Sequence, residues 1–558
     1  MSAPRIGVFV CRCGINIAAY VDVPKVVEYA KSLPGVAYAE ENMYTCSSDG
    51  LGKMKAAIKA HKLERVVVAS CTPRTHESLF QATCEEAGVN KYLFEMANIR
   101  DQCSWVHMRE PEKATEKAKA LVRMAVAKAA LLEPGVEPEI DVDPSALVIG
   151  GGVAGMRAAL SLADQGFHAT VVEKEDRLGG KLLGFDSLFP HVKSAAEIVG
   201  PLVEKVSVHP RIKVFTSSKV RSVKGFIGNY DVEIESPSGV EHLKVGTIIV
   251  AVGAEILKPK GLYLYGEDPR VITQSELETT LRKGKVKARR IVMIQCSGSR
   301  NKDRPYCSRI CCNEAVKNSI RLVSEGKDVY VLYRDLQTYG IHYSRLEQEA
   351  KRAGVRFLKY QAEKPPAVKV EPDFLSVSLY SPTVNEEITL MADLVVLSTP
   401  LVPVADASEL SQMLKVPLDS NGFFMEAHVK LRPLDFATDG VYVCGTAHSP
   451  KDVGESITQA LGAASRAAIP MAKKRVRTAA IISHVDQTKC SGCGICVEVC
   501  PYSAIRKNEK GIAETIAAVC KGCGVCGATC PERAITMEHF TNEQIEAQGL
   551  AALREAAQ

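Results

Sequence analysis

Along the first hundred residues, short apolar runs alternate with stretches of helical period. Ile6–Val10, Ala37–Glu41, Arg65–Ser70 and Tyr92–Glu95 have the look of strands, and helices are expected from Pro24, from Gly52 and near Glu77. That β-α-β-α order predicts a parallel sheet covered by helices. From 108 to 132, MREPEKATEKAKALVRMAVAKAALL predicts one long helix with interleaved charges, ended by Pro134 and Pro138. It reads as a spacer, and its charges as a solvated face. A second alternation begins at Ser145: a buried strand over Ala146–Ile149, an Ala/Leu-rich helix, then a strand over Ala169–Glu173. A third lies within 285–400, with a strand near Ile291, a helix near Ala315 and the run Lys327–Tyr333. After Phe540 comes a polar helix, able to dock a partner but needing no function.

Composition narrows the classes. A chain of 558 residues should form several domains, each with its own core. An apolar fraction of 46% and a charged fraction of 24% are those of a globular protein. A net charge of +5 is small for this length and points to neither nucleic acid nor a membrane surface. No apolar stretch is long enough for a membrane span, and the strand at Ile6 leaves no room for a signal peptide. A cytoplasmic protein is expected. Nineteen cysteines in a reducing compartment then mean metal or redox chemistry before disulfides.

Eight of them repeat one spacing twice. Cys490, Cys493, Cys496 and Cys500, then Cys520, Cys523, Cys526 and Cys530, follow C-x2-C-x2-C-x3-C, with Pro501 and Pro531 behind them. This is the two-cluster ferredoxin signature, in which three close thiolates wrap one cubane and the fourth reaches to the other. One 4Fe–4S cluster is expected on Cys490, Cys493, Cys496 and Cys530, the second on Cys520, Cys523, Cys526 and Cys500. Paired zinc sites would need neither the fourth cysteine nor the proline.

The strand over 146–149 runs into Gly150-Gly151-Gly152-Val153-Ala154-Gly155. Gly150, Gly152 and Gly155 fit G-x-G-x-x-G, giving a tight turn, a close approach to pyrophosphate and close helix–strand packing. The helix opening at Val153 and Ala154 offers free N–H groups to phosphate. Glu173 ends the next strand at the distance expected for a ribose contact. KEDRLGGK, with Lys174, Gly180 and Lys181, is similar to the loop that wraps FAD rather than NAD. Thr247–Ala254, with Ala251 and Gly253, and Asp439–Thr446, with Gly445, resemble the returning strands of flavoproteins with two dinucleotide domains. An NAD-only domain leaves those late segments unexplained, so FAD is expected.

Such flavoproteins insert a second nucleotide domain between the late segments. Residues 285–400 keep its βαβ order, yet the loop after Arg290–Gln295 carries QCSGSRNKDRPYCSRICC in place of a glycine fingerprint. Cys296, Cys307, Cys311 and Cys312 provide enough ligands for a further cluster. Zinc and unligated thiols are the alternatives; a C-x-x-C dithiol is absent, and a vicinal Cys311–Cys312 disulfide is strained. Electrons are then expected to pass this flavin through clusters, not as a hydride from this domain.

In the N-terminal sheet, Cys11, Cys13, Cys46 and Cys71 stand at or just past strand ends, where open sheets gather their binding groups. Cys103 follows the last strand closely. Any four of these five make a further cluster; buried core thiols are the plainer alternative. Trp105 and His107 either line that site or simply pack. Cys84 and Cys444 read as small buried hydrophobes. The expected divisions are 1–107, an α/β iron–sulfur domain; 108–140, a helical linker; and 141–284, the first part of the FAD domain. They continue with 285–400, a degenerate NAD(P)-type domain; 401–475, the second FAD part; 480–540, the ferredoxin domain; and 541–558, a C-terminal helix.

FVCRCGINI, ASCTPRTHE, NIRDQCSWVH, CSGSR…YCSRICC and PKDVGESITQA together resemble the A subunit of heterodisulfide reductase and its bacterial homologues, over the whole chain. The resemblance implies an α/β multidomain protein: an N-terminal α/β cluster domain, a thioredoxin-reductase-like flavoprotein with two dinucleotide domains, and a C-terminal 2×(4Fe–4S) ferredoxin domain. It implies FAD and iron–sulfur clusters and carries the family's ligands over to Cys296, Cys307, Cys311 and Cys312; the thiol groups of eight, four and four-of-five make about four 4Fe–4S clusters with one FAD. It also implies electron bifurcation at the FAD, from a two-electron donor to a high-potential acceptor and to ferredoxin. A non-bifurcating relay scaffold and an NAD(P)H-dependent flavoenzyme are the other readings. Implied partners are a cysteine-rich subunit, a small iron–sulfur subunit, ferredoxin, and an input module oxidising hydrogen, formate or NADH, in a dimer of complexes. Longer members insert a further ferredoxin module in the flavin domain; here no cysteine lies between Cys103 and Cys296.

Overall fold

The computed structural model describes residues 4–284, 286–478 and 480–553, so the outermost ends of the expected segments 1–107 and 541–558 lie outside it. Two compact units form, one from 1–139 with 477–558 and one from 140–476.

In the first unit, β1 (Ile6–Cys11), α1 (Val23–Lys31), β2 (Val36–Asn42), α2 (Ser48–Ala60), β3 (Arg65–Ser70), α3 (Pro73–Glu86) and β4 (Phe94–Asn98) follow in turn. The strands form one parallel sheet in the order β2-β1-β3-β4. Every residue of β1 is buried, as expected of a strand covered on both faces. Asp22 and Ser47 cap α1 and α2 by accepting the N–H of Lys25 and Gly50. The helix expected over 108–132 is α4, Pro111–Ala129; Glu112, Lys113, Glu116 and Lys117 form the expected solvated face, but its other face is not that of a free spacer. Ala114, Ala118, Val122 and Ala129 are fully buried. Two of the helix's charges are buried with them. Lys128 lies 2.8 Å from Glu95 of β4, with its Nζ 4.0 Å above the Phe540 ring. Arg123 donates to the Ala551 carbonyl at 2.6 Å. The C-terminal helix, Asn542–Leu553, packs along α4, and Gln544 donates to the Leu131 carbonyl. The charges serve a buried ion pair and a helix-to-helix contact, which a one-dimensional pattern cannot distinguish from solvation.

The cysteine repeat folds as a repeat. Ser483–Val485 pairs with Ile535–Met537, Ile505–Lys507 pairs with Ala513–Thr515, and short helices Ile495–Glu498 and Val525–Thr529 sit at equivalent places.

The second unit contains two sheets of one plan. β5 (Ser145–Ile149), α5 (Val153–Asp164), β6 (His168–Val172), β7 (Ile212–Phe215) and β8 (Thr247–Val250) open the first. Then come β9 (Val271–Thr273), α6 (Gln274–Lys283), β10 (Arg290–Ile294), α7 (Cys311–Ser324), β11 (Asp328–Tyr333), β12 (Arg356–Lys359) and β13 (Leu394–Leu397). The chain returns through β14 (Val441–Val443) and α8 (Val453–Lys473). The parallel orders are β7-β6-β5-β8-β14 and β9-β13-β10-β11-β12. Each sheet carries a three-stranded antiparallel meander, Lys219–Val245 and Ala367–Ala392. The two late segments, β8 and β14, pair with each other in the first sheet, and the second sheet is the insertion between them. Among the described residues, no helix is long and apolar enough to cross a membrane.

Candidate functional site

The turn after β5 encloses one wall of a cavity of about 530 Å³. A side chain at Gly155 would come within 1.9 Å of the Gly150 carbonyl, so only glycine lets α5 lie this close to β5. Gly150, at φ +110°, has the Ala251 carbonyl in the place of a Cβ. Gly152 is the opposite case: no protein atom lies within 4 Å of where its Cβ would stand, and it faces the cavity. This cradle at the N-terminus of α5 fits a pyrophosphate. Val153, Ala154, Glu173, Lys174, Gly180, Lys181, Ala251 and Gly253 line the same cavity. Glu173 accepts the Gly151 N–H at 2.6 Å, and Lys181 pairs with Glu255 at 2.7 Å. Gly445 is set back against Ala154 and presents Thr446 to the cavity.

The far wall comes from elements that sequence reasoning did not connect with it. Ile310, Glu314 and Lys317, at the start of α7, line the cavity, as do Lys451, Asp452 and Val453 at the start of α8. Lys317 and Glu278 of α6 form a fully buried ion pair at 2.5 Å, and Lys317 also donates to the Ser187 carbonyl. Burial, then the like charge of Glu278, pushes the Glu314 carboxyl up to about 8, so it keeps its proton at neutral pH. Burial pulls the Lys451 ammonium down to about 8, while its Nζ donates to the Gly445 and Ser449 carbonyls. Nothing in the sequence of α7 connects these residues with the cavity.

Peptide-bonded to Ile310 is Cys311. Cys296, Cys307, Cys311 and Cys312 line one small cavity with Arg300, Arg309 and Asp335. Cys296 lies just past β10, while Cys311 and Cys312 open α7. Cys296, Arg300 and Arg309 hold positive φ of 58°, 55° and 64°, uncommon for residues with side chains and typical of functional loops. Burial raises the Cys311 and Cys312 thiols, the latter to about 12, so metal binding here must release protons. Arg309 reaches Glu455 of α8 at 2.5 Å, and Tyr343 of the helix Ile341–Ala353 donates to Asp452.

The ferredoxin thiols line two cavities, grouped as the spacing predicts. Cys490, Cys493, Cys496 and Cys530 surround one, and Cys500, Cys520, Cys523 and Cys526 the other. In the N-terminal domain, burial raises the Cys11 and Cys71 thiols, with smaller additions from Cys13 and Cys46 at Cys11 and from Cys46 and Cys11 at Cys71. Cys103 is the fifth thiol of the set from which any four were expected to hold a cluster, and it lies in the widened turn Arg100–Ser104. Its thiol turns under α4 and donates to the Ala114 carbonyl at 3.0 Å, and burial pushes it up to about 11. Cys84 and Cys444 are buried singly. Among the described residues, no three His, Cys, Asp or Glu side chains are spaced to hold one metal ion.

Two family profiles match, "Pyridine nucleotide-disulphide oxidoreductase" over residues 144–294 and "4Fe-4S dicluster domain" over 464–537. The chain is 39% identical to the A subunit of the H(2):CoB-CoM heterodisulfide,ferredoxin reductase of Methanothermobacter thermautotrophicus, with 100% of this chain and 98% of that protein covered. That alignment runs over 659 positions, so the relative carries residues that this 558-residue chain lacks. A protein of Archaeoglobus profundus described as like the A subunit of heterodisulfide reductase is 34% identical, with 98% and 97% covered. Among solved structures, T. acidophilum thioredoxin reductase aligns over 59% of this chain and 99% of its own, at 19% identity and a TM-score of 0.42.

Proposed function

The chain belongs to the family of heterodisulfide reductase A subunits, and from that premise we propose that it is the flavin-carrying subunit of a heterodisulfide-reductase-like complex. In that complex the electron pair of a two-electron donor is divided between a high-potential, disulfide-type acceptor and ferredoxin. The chain is an oxidoreductase whose cofactors are FAD and 4Fe–4S clusters. Bound FAD supplies the exchange between two-electron and one-electron chemistry. Gly150–Gly155 would hold its pyrophosphate and Glu173 its ribose, in a cavity also lined by the starts of α7 and α8. The partners that suit such a protein are a cysteine-rich subunit, a small iron–sulfur subunit, ferredoxin and a donor-oxidising module.

One observation carries the reading. The helix that contributes Ile310, Glu314 and Lys317 to the flavin cavity begins with Cys311 and Cys312 of the mid-chain thiol group. A cluster on Cys296, Cys307, Cys311 and Cys312 would stand beside the flavin, on the sheet where a nicotinamide domain would otherwise bind its nucleotide. The ferredoxin thiols and Cys11, Cys13, Cys46 and Cys71 would hold further one-electron centres. A relay without bifurcation has one point in its favour, the lack of any cysteine between Cys103 and Cys296.

A redox titration of the anaerobically reconstituted protein separates the two. Bifurcation requires crossed one-electron potentials, so the flavin should titrate as a single two-electron wave with no radical signal in electron paramagnetic resonance. Two resolved one-electron waves with a persistent radical would establish the relay instead. For the N-terminal group, Cys46→Ser should remove one cluster's iron relative to flavin, and Cys103→Ser should remove none. Equal losses in both variants would return Cys103 to the ligand set.

A further inference from the structure

Strand β10 sends its side chains alternately to the two faces of the second sheet. Ile291 and Met293 pack in one core with Ala315 and Val316 of α7, while Val292 and Ile294 pack in another with Leu332 and Tyr360. Gln295 follows them and continues the ladder, its N–H donating to the Leu332 carbonyl at 2.9 Å. By alternation it falls on the face that α7 covers, and α7 opens there with Cys311 and Cys312. An apolar residue would suit the position as it suits Ile291 and Met293. Instead the chain places a carboxamide, 1% exposed, among the residues that line the thiol cavity.

The backbone of Gln295 is fully engaged, since the Tyr360 hydroxyl donates to its carbonyl at 2.7 Å. Its side chain is not. Among the described residues, neither its Oε1 nor its Nε2 has a hydrogen-bond partner. Buried amides close by on the same helix and its neighbour are paired: Asn318 donates to Gln274 at 2.9 Å, and Asn313 to the Gln337 carbonyl at 3.2 Å. A buried amide without a protein partner is costly to keep, and such groups persist where something else completes them. Here the chemistry of the cavity is that of sulfur. Thiolates and sulfides accept hydrogen bonds and cannot donate, so the Nε2 end suits them.

In the ferredoxin domain the backbone supplies such donors. The N–H groups of Ala504 and Ala534 reach the sulfurs of Cys500 and Cys530 at 3.2 and 3.4 Å. In the mid-chain cavity the Arg309 N–H does the same for Cys307 at 3.3 Å. Arg300 comes only within 4.0 Å of the Cys296 sulfur, and its charge is paired with Asp335 at 2.9 Å. Gln295 adds a neutral side-chain donor.

We propose that the Gln295 amide donates to a sulfur of the cluster held by Cys296, Cys307, Cys311 and Cys312, and that this bond sets the cluster's potential against that of the flavin. The inference rests on the proposed cluster at those four residues. One electron enters the cluster and no covalent bond forms or breaks. The added charge spreads onto the sulfurs, so a donor aimed at them favours the reduced form and raises its potential.

The test uses the anaerobically reconstituted full chain and its Gln295→Leu and Gln295→Met variants, both apolar, of similar size and without a donor. The signal of this cluster is the one that Cys307→Ser removes from the electron paramagnetic resonance spectrum. In both Gln295 variants iron and flavin should stay at wild-type levels, and the potential of that one signal should fall. Reduction about tenfold weaker, or about 59 mV for one electron, is expected, with the ferredoxin signals unmoved as the internal reference. A change below twofold, or a rise, overturns the inference, because the amide is then completed by water or only fills space. Loss of that cluster's iron from both variants overturns it too, since Gln295 would then hold the cluster in place instead of tuning it. Cys307→Ser keeps the two readings apart. If that variant loses no iron, the cluster reading falls and takes this inference with it. If it loses one cluster's iron while Gln295→Leu leaves the potential in place, only the inference falls.

Discussion

Gly152→Val should give a protein without bound FAD and with its iron undiminished. Gly152 has φ −73° and ψ −179°, backbone angles that valine adopts freely, and no protein atom lies within 4 Å of its Cβ position. The backbone therefore accepts a Cβ here without a clash beyond its chain neighbours. The added side chain fills the space at the N-terminus of α5 where a pyrophosphate must approach the backbone N–H groups. Flavin released by heat and iron assayed on the same sample give the answer directly. A loss of at least about tenfold in flavin affinity, or about 1.4 kcal/mol, is the minimum expected. Gly155→Ala is the informative contrast, because its methyl would meet the Gly150 carbonyl and harm folding itself. Wild-type flavin content in Gly152→Val would mean that this turn does not hold the phosphates.

Cys307→Ser should remove about a quarter of the iron, on the basis of one cubane in four. FAD and the signals of the ferredoxin clusters should stay. Cys307 lies in the loop and is only partly buried, so serine there leaves the core of the second sheet intact, whereas Cys311→Ser alters a buried position. Electron exchange between the flavin and its native partners should collapse to background in both variants. Whether reduction by the donor or oxidation by the acceptor collapses tells which way the current runs. Full iron with unchanged turnover would reduce the four cysteines to packing residues.

Pattern and structure agree unevenly, and the unevenness has a physical cause. The ferredoxin domain was fully legible, down to the exchange of Cys500 and Cys530 between the two groups, because repeated local spacing dictates it. The glycine turn was legible for a similar reason: strand, turn and helix are contiguous. What failed depends on contacts between distant segments. Lys128 and Arg123 looked like solvated charges, and only the placement of Glu95 and of the C-terminal helix shows otherwise. Cys71 directly follows its strand, whereas Cys103 lies five residues past the end of β4, and a single widened turn carries its thiol under α4. Glu314 and Lys317 gave no hint of facing a cavity whose other wall lies more than a hundred residues earlier.

Arg309 and Tyr343 fasten the thiol-bearing half of the second unit to the start of α8, through Glu455 and Asp452. Hydride transfer needs reacting atoms about 3–3.5 Å apart, so a domain that delivers hydride has to open, load and close again. Single electrons need no such contact, since they cross packed protein between centres that never touch. A clamp that would stall a ferry is harmless to a wire. With a cluster on Cys296, Cys307, Cys311 and Cys312, speed at this junction would be a matter of separation and driving force, and the second sheet would contribute by holding the two centres at a fixed distance.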